Sequence, residues 1–293
     1  MAADLTASDF QLMMPVGEGQ FGVVHVAKRV SDGALVAIKQ IPLHGITSDA
    51  LLKSILDEVS IMKELNHPFV VKFYGSYKTS IHLCIVLSFL PGGELFFHLE
   101  KTGVFPEAFA RFYTAEIACA LSYLHSRNII YRDLKPENVV LDAQGHATLL
   151  DFGLAKANVT SADTLVGTAE YIAPEFLRGE RHTTAVDWWS LGVMLYEMLT
   201  GELPFTADAK DKLWELILVK PLNFDHELLS DSAKDLLRRL LDRNGDSRLQ
   251  SFKELSQHPF FAGLDWEALL LKKLPAPIAP NADHKKNFHP VDG

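Results

Sequence analysis

The apolar pattern of the chain changes from strand-like to helical at one break, Pro91-Gly92-Gly93. Before the break, five β-rich runs occupy residues 10–16, 23–30, 34–40, 70–77 and 81–89. One helical pattern interrupts them at residues 48–65, and after the break helical spacing occupies residues 94–100, 106–126, 184–200, 208–219 and 230–241. The sequence therefore predicts an α+β protein. A small antiparallel β-rich lobe with one main helix would face a larger, mostly α-helical lobe across a cleft.

The length of 293 residues suits one large domain or two closely packed ones. We expect an N-terminal extension at residues 1–9 and a main domain at residues 10–262, with a lobe boundary near residue 90. Residues 263–293 form the last segment, which contains Pro275, Pro277, Pro280 and Pro290. This composition predicts an extended strap rather than an independent domain.

Charge and composition exclude several classes of protein. Lys and Arg number 28 against 37 Asp and Glu, and a net charge of −9 disfavours nucleic-acid binding. The longest apolar stretch, residues 83–90, is far shorter than the roughly 20 residues that span a bilayer. Cys84 and Cys119 lie in apolar runs without metal-site spacing, which favours buried, reduced thiols. We therefore expect no membrane span and a cytoplasmic location, with the nucleus as an alternative.

The motif Gly17-x-Gly19-x-x-Gly22-x-Val24 is a candidate phosphate-binding loop. In a dinucleotide site a helix would follow the glycines, whereas here the strand pattern continues and turns back at Gly33. The glycines are therefore predicted to lie in a hairpin, where missing side chains let backbone N–H groups approach phosphates. A plain glycine-rich turn remains the alternative on these residues alone.

Lys39 interrupts an otherwise apolar run on the third predicted strand, Val36-Ala37-Ile38-Lys39. One interpretation is an edge-strand lysine that faces water. The other is a buried cation, which needs a partner, and Glu58 on the 48–65 helix could turn inward to pair with it.

Three later segments carry the most specific signal: Tyr131-Arg132-Asp133-Leu134-Lys135-Pro136-Glu137-Asn138, Asp151-Phe152-Gly153 and Ala173-Pro174-Glu175. Together with the glycine loop and Lys39, and in this order, they resemble the signature set of the eukaryotic protein kinases over about residues 10–262. The resemblance implies the bilobal protein kinase fold, ATP and Mg²⁺ as cofactors, and proteins as substrates.

The resemblance also implies roles for individual residues. Lys39, held by Glu58, would neutralise the α- and β-phosphates of ATP. Asp133 would orient the substrate hydroxyl and accept its proton, and Lys135 would offset charge on the transferred phosphoryl group.

Further positions match the metal and nucleotide contacts of the family. Asn138 and Asp151 match its Mg²⁺ ligands, since carboxylate and carbonyl oxygens suit a hard cation. Residues that match the nucleotide contacts, besides Lys39, are Gly17, Gly19, Gly22, Val24, Ala37, Glu94 and Val140. Residues that match the apolar stack joining the two lobes are Met62, Phe73, Tyr131 and Phe152, with Asp187 beneath them.

The subgroup can be inferred in the same way. Lys135, two residues after Asp133, and Gly167-Thr168 resemble serine/threonine kinases, in which Thr168 lies at the substrate site. Tyr131, the segment at residues 186–192 and the later segment at 258–261 resemble the AGC group. Its members have a C-terminal tail that returns over the small lobe, and residues 263–293 keep part of that tail's pattern, so Phe288 could approach the adenine pocket.

The tail departs from the AGC pattern in two respects. His289-Pro290 stand where acidic residues are expected, and the chain ends at Gly293 without a later hydrophobic motif. The tail is therefore either naturally short or cut. A partner protein could supply the hydrophobic motif, and a regulatory subunit is a further candidate partner for an otherwise monomeric catalytic unit.

The resemblance predicts regulation and substrate preference as well. Thr164 lies where relatives are phosphorylated by an upstream kinase, and Arg132 and Lys156 could face the phosphate. Thr160 and Ser161 are the alternative sites.

Three carboxylates, Glu94, Glu137 and Glu215, match positions that in basophilic AGC kinases surround arginines upstream of the acceptor hydroxyl. A solvated surface is the alternative interpretation for them. For the whole chain the alternative is a pseudokinase scaffold, and the intact set of Lys39, Glu58, Asp133, Asn138 and Asp151 favours catalysis over it.

Overall fold

The computed structural model describes residues 5–19, 22–157, 167–224 and 226–289. The strands are β1 (Phe10–Gly19), β2 (Gly22–Arg29), β3 (Leu35–Pro42), β4 (Phe73–Lys78), β5 (His82–Ser88), β6 (Ile129–Ile130), β7 (Val139–Leu141), β8 (Ala147–Leu149) and β9 (Lys156–Ala157). The α-helices are α1 (Asp49–Glu64), α2 (Leu95–Thr102), α3 (Glu107–His125), α4 (Pro174–Leu177), α5 (Ala185–Thr200), α6 (Lys210–Val219), α7 (Asp231–Leu240), α8 (Phe252–Ser256) and α9 (Trp266–Leu270).

The small lobe is one antiparallel sheet with the strand order β1-β2-β3-β5-β4, packed against α1. The helix starts after Ser48, whose hydroxyl accepts a hydrogen bond from the Leu51 N–H and so caps it. At the start of β2, a Cβ on Gly22 would lie 1.9 Å from the carbonyl oxygen of Gln40, so only glycine allows this approach of β2 to β3. The predicted small lobe, with one main helix, is confirmed.

One strand begins later than its sequence pattern indicates. The pattern starts at residue 70, but β4 starts at Phe73. The preceding residues bond to the larger lobe instead: the Val71 N–H donates to Leu149 O at 3.0 Å, and the Leu149 N–H donates to Phe69 O at 2.9 Å. This apolar run therefore connects the two lobes through backbone hydrogen bonds instead of extending the sheet.

The larger lobe is built around α3 and α5, which pack against each other. Within it, the short hairpin of β7 and β8 is anchored to α3 by the fully buried Glu116, which accepts from His146 Nδ1 at 2.6 Å and from the Ala147 N–H at 2.7 Å. A second buried pair, Arg248 with both oxygens of Glu175 at 2.7 and 2.8 Å, fixes α4. The predicted helical lobe is therefore also confirmed, with helix ends within two residues of the sequence pattern.

The tail beyond α9 crosses from the larger lobe to the Pro91-Gly92-Gly93 break. Lys272 Nζ bonds to Asp142 Oδ2 at 2.7 Å, and farther along the Asn287 side chain donates to Pro91 O at 2.8 Å. Apart from a short 3₁₀ turn at His284–Asn287, the tail from residue 273 contains no regular element within the described residues. The segment predicted as an extended strap, residues 263–293, also contains the helix α9, so only its later part is extended within the described residues.

Two expectations from composition can be compared with this fold. Cys84 and Cys119 are buried free thiols, as predicted, and burial raises the pKa of Cys119 to about 12. None of the helices in the described parts of the chain combines the length and the apolar character that a membrane crossing requires.

Candidate active site

The loop between β6 and β7 is held in place by one buried carboxylate, Asp187, in the first turn of α5. Asp187 accepts hydrogen bonds from the backbone N–H groups of Tyr131 at 2.9 Å and Arg132 at 2.7 Å, and from His125 Nε2 at 2.7 Å. Arg132 adopts a positive φ of 67°. The loop that carries Asp133 is thus fixed to the most buried helix of the larger lobe.

Within this loop, Asn138 and Asp133 are bonded to each other. The amide nitrogen of Asn138 donates to the backbone oxygen of Asp133 and to its Oδ2, both at 2.8 Å. Lys135 Nζ donates to Thr168 Oγ1 at 2.9 Å, which joins the loop to the segment before α4. These bonds orient the Asp133 carboxylate, and its second oxygen, Oδ1, is left to accept a proton.

Lys39 is a buried cation rather than an exposed edge lysine. It lies on β3, an inner strand between β2 and β5, and its Nζ is 3.1 Å from Glu58 Oε1 on α1. Only 8% of Lys39 and 4% of Glu58 are exposed. Burial opposes the charged form of Lys39, but the charges of Glu58 and Asp151 outweigh it, so the pKa of Lys39 is raised above its usual value.

Asp151 faces the same cleft from the larger lobe. Its φ is 39°, and its Oδ1 accepts from the Gly153 N–H at 2.9 Å. Among the groups facing each other here, Lys39 alone balances the two carboxylates of Glu58 and Asp151, which leaves a net negative charge.

Mg²⁺ fits this arrangement. Asn138 donates from its amide nitrogen to Asp133, so its amide oxygen remains available as a ligand, and Asn138 and Asp151 line the same cleft. The described residues contain no cluster of three or more His, Cys, Asp or Glu side chains suited to a metal. Two oxygen ligands suit a hard cation that keeps waters and binds phosphate oxygens.

The cleft between the lobes has apolar walls in the place expected for adenine. Val24 and Ala37 line it from the small lobe, Val140 lines it from the larger lobe, and Phe288 reaches it from the tail. Gly17 and Glu94 lie at its margin. Gly19 and Gly22 face each other at the end of the β1–β2 hairpin, as predicted, and residues 20–21 lie outside the described part of the chain.

The apolar stack is assembled across the cleft. Phe152 is fully buried, and its ring meets the ring of Tyr131 edge to face at a centroid distance of 5.4 Å. Met62 on α1 is buried in the same core, and Phe73 packs against that core from β4. With Phe152 packed inward and Lys39 paired to Glu58, both lobes present their site residues to one cleft.

Three carboxylates that interact with one another, two of which line the cleft, lack enough positive charge to balance them. Burial raises the pKa of Glu94, and the like charge of Glu137 raises it further. Burial also raises the pKa of Glu197, and the like charge of Glu137 raises it further. The Tyr171 hydroxyl donates a hydrogen bond to Glu197, which offsets part of this rise in pKa. The Oε2 atom of Glu137 is buried without a hydrogen-bond partner among the described residues. We call Glu94, Glu137 and Glu197 the acidic cluster.

The prediction that Glu215 belongs to this group is wrong. Its carboxylate is exposed on α6 and accepts from Lys212 of the same helix at 2.7 Å, because that side of α6 faces solvent. Glu197 on α5 takes the place beside Glu137, and sequence reasoning missed it. The available signal was a single carboxylate within the apolar run at residues 191–199.

The predicted phosphorylation site, Thr164, lies outside the described residues, as do Thr160 and Ser161. Of the two cations predicted to face it, Arg132 donates from Nε to Leu154 O at 2.7 Å, and Lys156 is exposed on β9. Phosphorylation at Thr164 therefore remains a prediction.

Comparison with known proteins agrees with this geometry. The protein kinase domain family matches residues 10–261. The serine/threonine-protein kinase Sgk3 of Rattus norvegicus is 44% identical over 294 residues, which cover 97% of this chain and 59% of that protein. Sgk2 of Homo sapiens is 45% identical over 281 residues, covering 94% and 76% of the two chains. The serine/threonine protein kinase ypkA of Aspergillus fumigatus is 44% identical over 283 residues, which cover 94% of this chain and 44% of that protein. The chain thus spans about three fifths of Sgk3.

Proposed function

This chain belongs to the protein kinase domain family, and from that premise we propose that it transfers the γ-phosphoryl group of ATP to serine or threonine hydroxyls of protein substrates. One observation carries the proposal: the Lys39–Glu58 pair, Asn138 and Asp151 line a single cleft, and Asn138 bonds to Asp133. A pseudokinase scaffold, the alternative, would not require this combination, and nothing in the described residues favours it.

Each residue of the cleft has its own role in the proposed phosphoryl transfer. Mg²⁺ and ATP, when bound, supply the transferable phosphoryl group and part of its charge neutralisation. Lys39, held by Glu58, would bind phosphate oxygens, and Asn138 and Asp151 would hold the cation. Asp133 Oδ1 accepts the proton of the substrate hydroxyl as its oxygen attacks phosphorus, and Lys135 stabilises negative charge on the moving group.

The direct test is Mg²⁺-dependent phosphorylation of a generic basic peptide by the wild type and by Asp151→Asn. We expect activity in the wild type and its loss in the variant, because the variant lacks a charged metal ligand. Asp57→Asn, which alters an exposed carboxylate on α1, is the matched control and should remain active. An inactive wild type with normal nucleotide binding would support the scaffold alternative.

The acidic cluster supports a preference for substrates with upstream arginine. We propose that Glu94 and Glu137 bind the third residue before the hydroxyl and that Glu137 and Glu197 bind the second. Uncompensated, partly buried carboxylates attract a cation, and arginine can bond a carboxylate through two N–H groups, whereas lysine offers a point charge.

Paired variants test this preference. Peptides with arginine at these positions should exceed alanine analogues by about tenfold or more in kcat/KM. An alanine peptide leaves a buried carboxylate without a cation, which weakens binding of that peptide by about tenfold or more. Glu197→Gln should weaken selection at the second upstream position, while its side-chain oxygen can still accept from Tyr171. Glu215→Gln changes a carboxylate outside the cluster and should leave selection intact. A peptide array with acidic or proline-directed preference would overturn the arginine proposal.

We further propose that an upstream kinase activates the protein at Thr164. A phosphothreonine adds about −1.5 to −2 charge, which Arg132 and Lys156 could pair with to order the segment before Thr168. Full phosphorylation should raise activity in the wild type, and Thr164→Ala should keep only the unphosphorylated level. Equal activity of Thr164→Ala and fully phosphorylated wild type would contradict the assignment.

A further inference from the structure

We propose that a cavity beside the nucleotide cleft binds a small organic anion with an apolar body and thereby strengthens nucleotide binding. Its volume is about 420 Å³, within the range of roughly 300–1,000 Å³ that small-molecule sites occupy. We call it the second cavity, and the residues that line it include Lys72, Ser88, Asp142, Thr148 and Lys272. Binding of the anion is independent of the proposed function, whereas its effect on the nucleotide rests on that function.

The walls of the second cavity come from both lobes and from the tail. In the small lobe, the Lys72 N–H donates to Ser88 Oγ at 3.2 Å and the Ser88 N–H donates to Lys72 O at 2.9 Å, so the start of β4 and the end of β5 are held together. In the larger lobe, Asp142 follows β7 and Thr148 lies on β8. Lys272, at the start of the tail, bonds to Asp142 at 2.7 Å. A ligand in this cavity would therefore contact both lobes at once.

Positive charge exceeds negative charge around the second cavity. Asp142 is the one carboxylate among the described residues that line it, and its charge is balanced by Lys272. It also accepts hydrogen bonds from two backbone N–H groups of its own turn, at 2.9 and 3.0 Å. Lys72 is exposed and forms no ion pair with any described residue, and its Nζ lies 5.4 Å from the centre of the Tyr74 ring. The charge of Lys72 therefore remains to attract an anion.

Neutral donors and an apolar wall complete the lining. The His67 ring accepts at Nδ1 from the Phe69 N–H at 3.2 Å, so its proton lies on Nε2, which can donate to a ligand. The side chains of Thr148 and Asn66 form no hydrogen bond with any described residue, although Thr148 is only 3% exposed. The apolar wall consists of Leu65, Pro68, Val70 and Leu90. This combination suits a carboxylate or sulfonate group on an apolar body.

The second cavity and the nucleotide cleft share two lining residues, Ser88 and Leu90, in the segment that joins the lobes. The cavity is present in the arrangement of the lobes in which Lys39 is paired with Glu58. A ligand that contacts both lobes stabilises this arrangement, which also holds the groups that face the nucleotide. Two ligands that favour one arrangement strengthen each other's binding by the same factor. The anion should therefore raise nucleotide affinity, and the nucleotide should raise affinity for the anion.

The experiment uses the dye anilinonaphthalene sulfonate, an aromatic sulfonate whose fluorescence rises in an apolar site. The protein is first saturated with Mg²⁺ and a non-hydrolysable ATP analogue, so that the dye cannot occupy the nucleotide cleft. The wild type should still bind the dye saturably. Lys72→Glu should weaken this binding by about five- to tenfold, because an attraction becomes a repulsion. Lys78→Glu reverses another exposed lysine, at the end of β4 and outside the cavity, and should bind like the wild type.

A second measurement tests the coupling: saturating dye should lower the Kd of the ATP analogue by about fivefold, and the analogue should lower the Kd of the dye by the same factor. No saturable dye binding, or equal weakening by the two substitutions, would overturn the second cavity as a binding site. Unchanged Kd values would overturn its effect on the nucleotide. A protein that shows both effects but phosphorylates no peptide would refute the proposed function alone. An active kinase that binds no dye would refute the second cavity alone.

Discussion

Arg132 and Asp151 have positive φ angles, 67° and 39°, that side chains other than glycine rarely adopt. Each is held there by a specific bond: Arg132 N–H donates to Asp187, and the Asp151 carboxylate accepts from the Gly153 N–H. Such conformations are unfavourable by about 1–3 kcal/mol each and persist where surrounding contacts determine them. Both residues belong to the larger lobe, where Asp151 lines the cleft and the residue after Arg132, Asp133, bonds to Asn138 of the same cleft.

At this scale we predict that Asp133→Asn lowers kcat by about 10²- to 10⁴-fold, the usual contribution of a positioned acid–base group. The amide still accepts a hydrogen bond from Asn138 but takes up no proton from the substrate hydroxyl. ATP affinity, measured by equilibrium binding, should stay near that of the wild type. Wild-type turnover of a protein substrate by this variant would contradict the role assigned to Asp133.

The loop between α1 and β4 connects the helix that carries Glu58 to the larger lobe. The Asn66 N–H donates to the hydroxyl of Tyr123 on α3 at 2.7 Å, and the His67 ring stacks on that of Tyr123 at 4.8 Å. The next residues bond to Leu149 of β8. Because α1 continues directly into this loop, its position, and with it the Lys39–Glu58 pair, depends on packing against α3.

Stability should depend on pH through His67. Burial, together with the charge of Lys272, lowers its pKa to about 4. The unfolded chain, with a histidine pKa of about 6.5, binds a proton first as the pH falls. This contribution is therefore complete above about pH 6.5 and is lost as the pH approaches about 4, with a size of about 1–2 kcal/mol after allowance for partial exposure.

Urea unfolding of the wild type and His67→Gln at several pH values between about 7.5 and 4.5 measures this contribution. The difference in unfolding free energy between the two proteins should shrink toward acid pH. His44→Gln should follow the wild type. A constant difference across the range would show that the His67 ring does not titrate as its surroundings require.

Over the whole molecule, the tail connects the two lobes on the side of the adenine pocket. Lys272 bonds to Asp142 of the larger lobe, Asn287 bonds to Pro91 at the junction, and Phe288 lines the nucleotide cleft. The cleft is therefore lined by three separate stretches of chain: the small lobe, the larger lobe and the tail. Nucleotide affinity should therefore depend on the docking of a tail segment that lies 196 residues along the chain from the junction residue Pro91 that it bonds.

Two glycines allow this to be tested with a matched pair. Gly93 and Gly103 both have a φ of 77°, but a Cβ would meet Asn287 O at 1.8 Å only at Gly93, and nothing within 4 Å at Gly103. Both alanine variants should lose about 1 kcal/mol of stability from backbone strain. Only Gly93→Ala should displace the tail and raise the KM for ATP, by about five- to tenfold for the loss of an aromatic contact. Equal KM values in the two variants would show that tail docking does not support nucleotide binding.

The sequence by itself determined the elements and the residues whose partners lie at fixed spacing. The β1–β2 hairpin follows from alternating residues and glycines, and Asp133 and Asn138 meet because a short loop brings residues five apart together. The Lys39–Glu58 pair could also be anticipated, since a charge on an inner strand needs a partner and α1 offered one.

Only the tertiary structure decided which distant groups meet. Glu197 rather than Glu215 joins Glu137, because α5 is buried and α6 exposes that side to solvent. The residues at the start of the strand-like pattern, from residue 70, bond to Leu149 of the larger lobe instead of extending β4. The bonds of Asn287 hold the tail so that His289 lies beside Glu100. Periodicity records which face of an element is apolar but not which neighbour covers it. Contacts between distant segments depend on how the elements pack, and so they became visible only in the assembled fold.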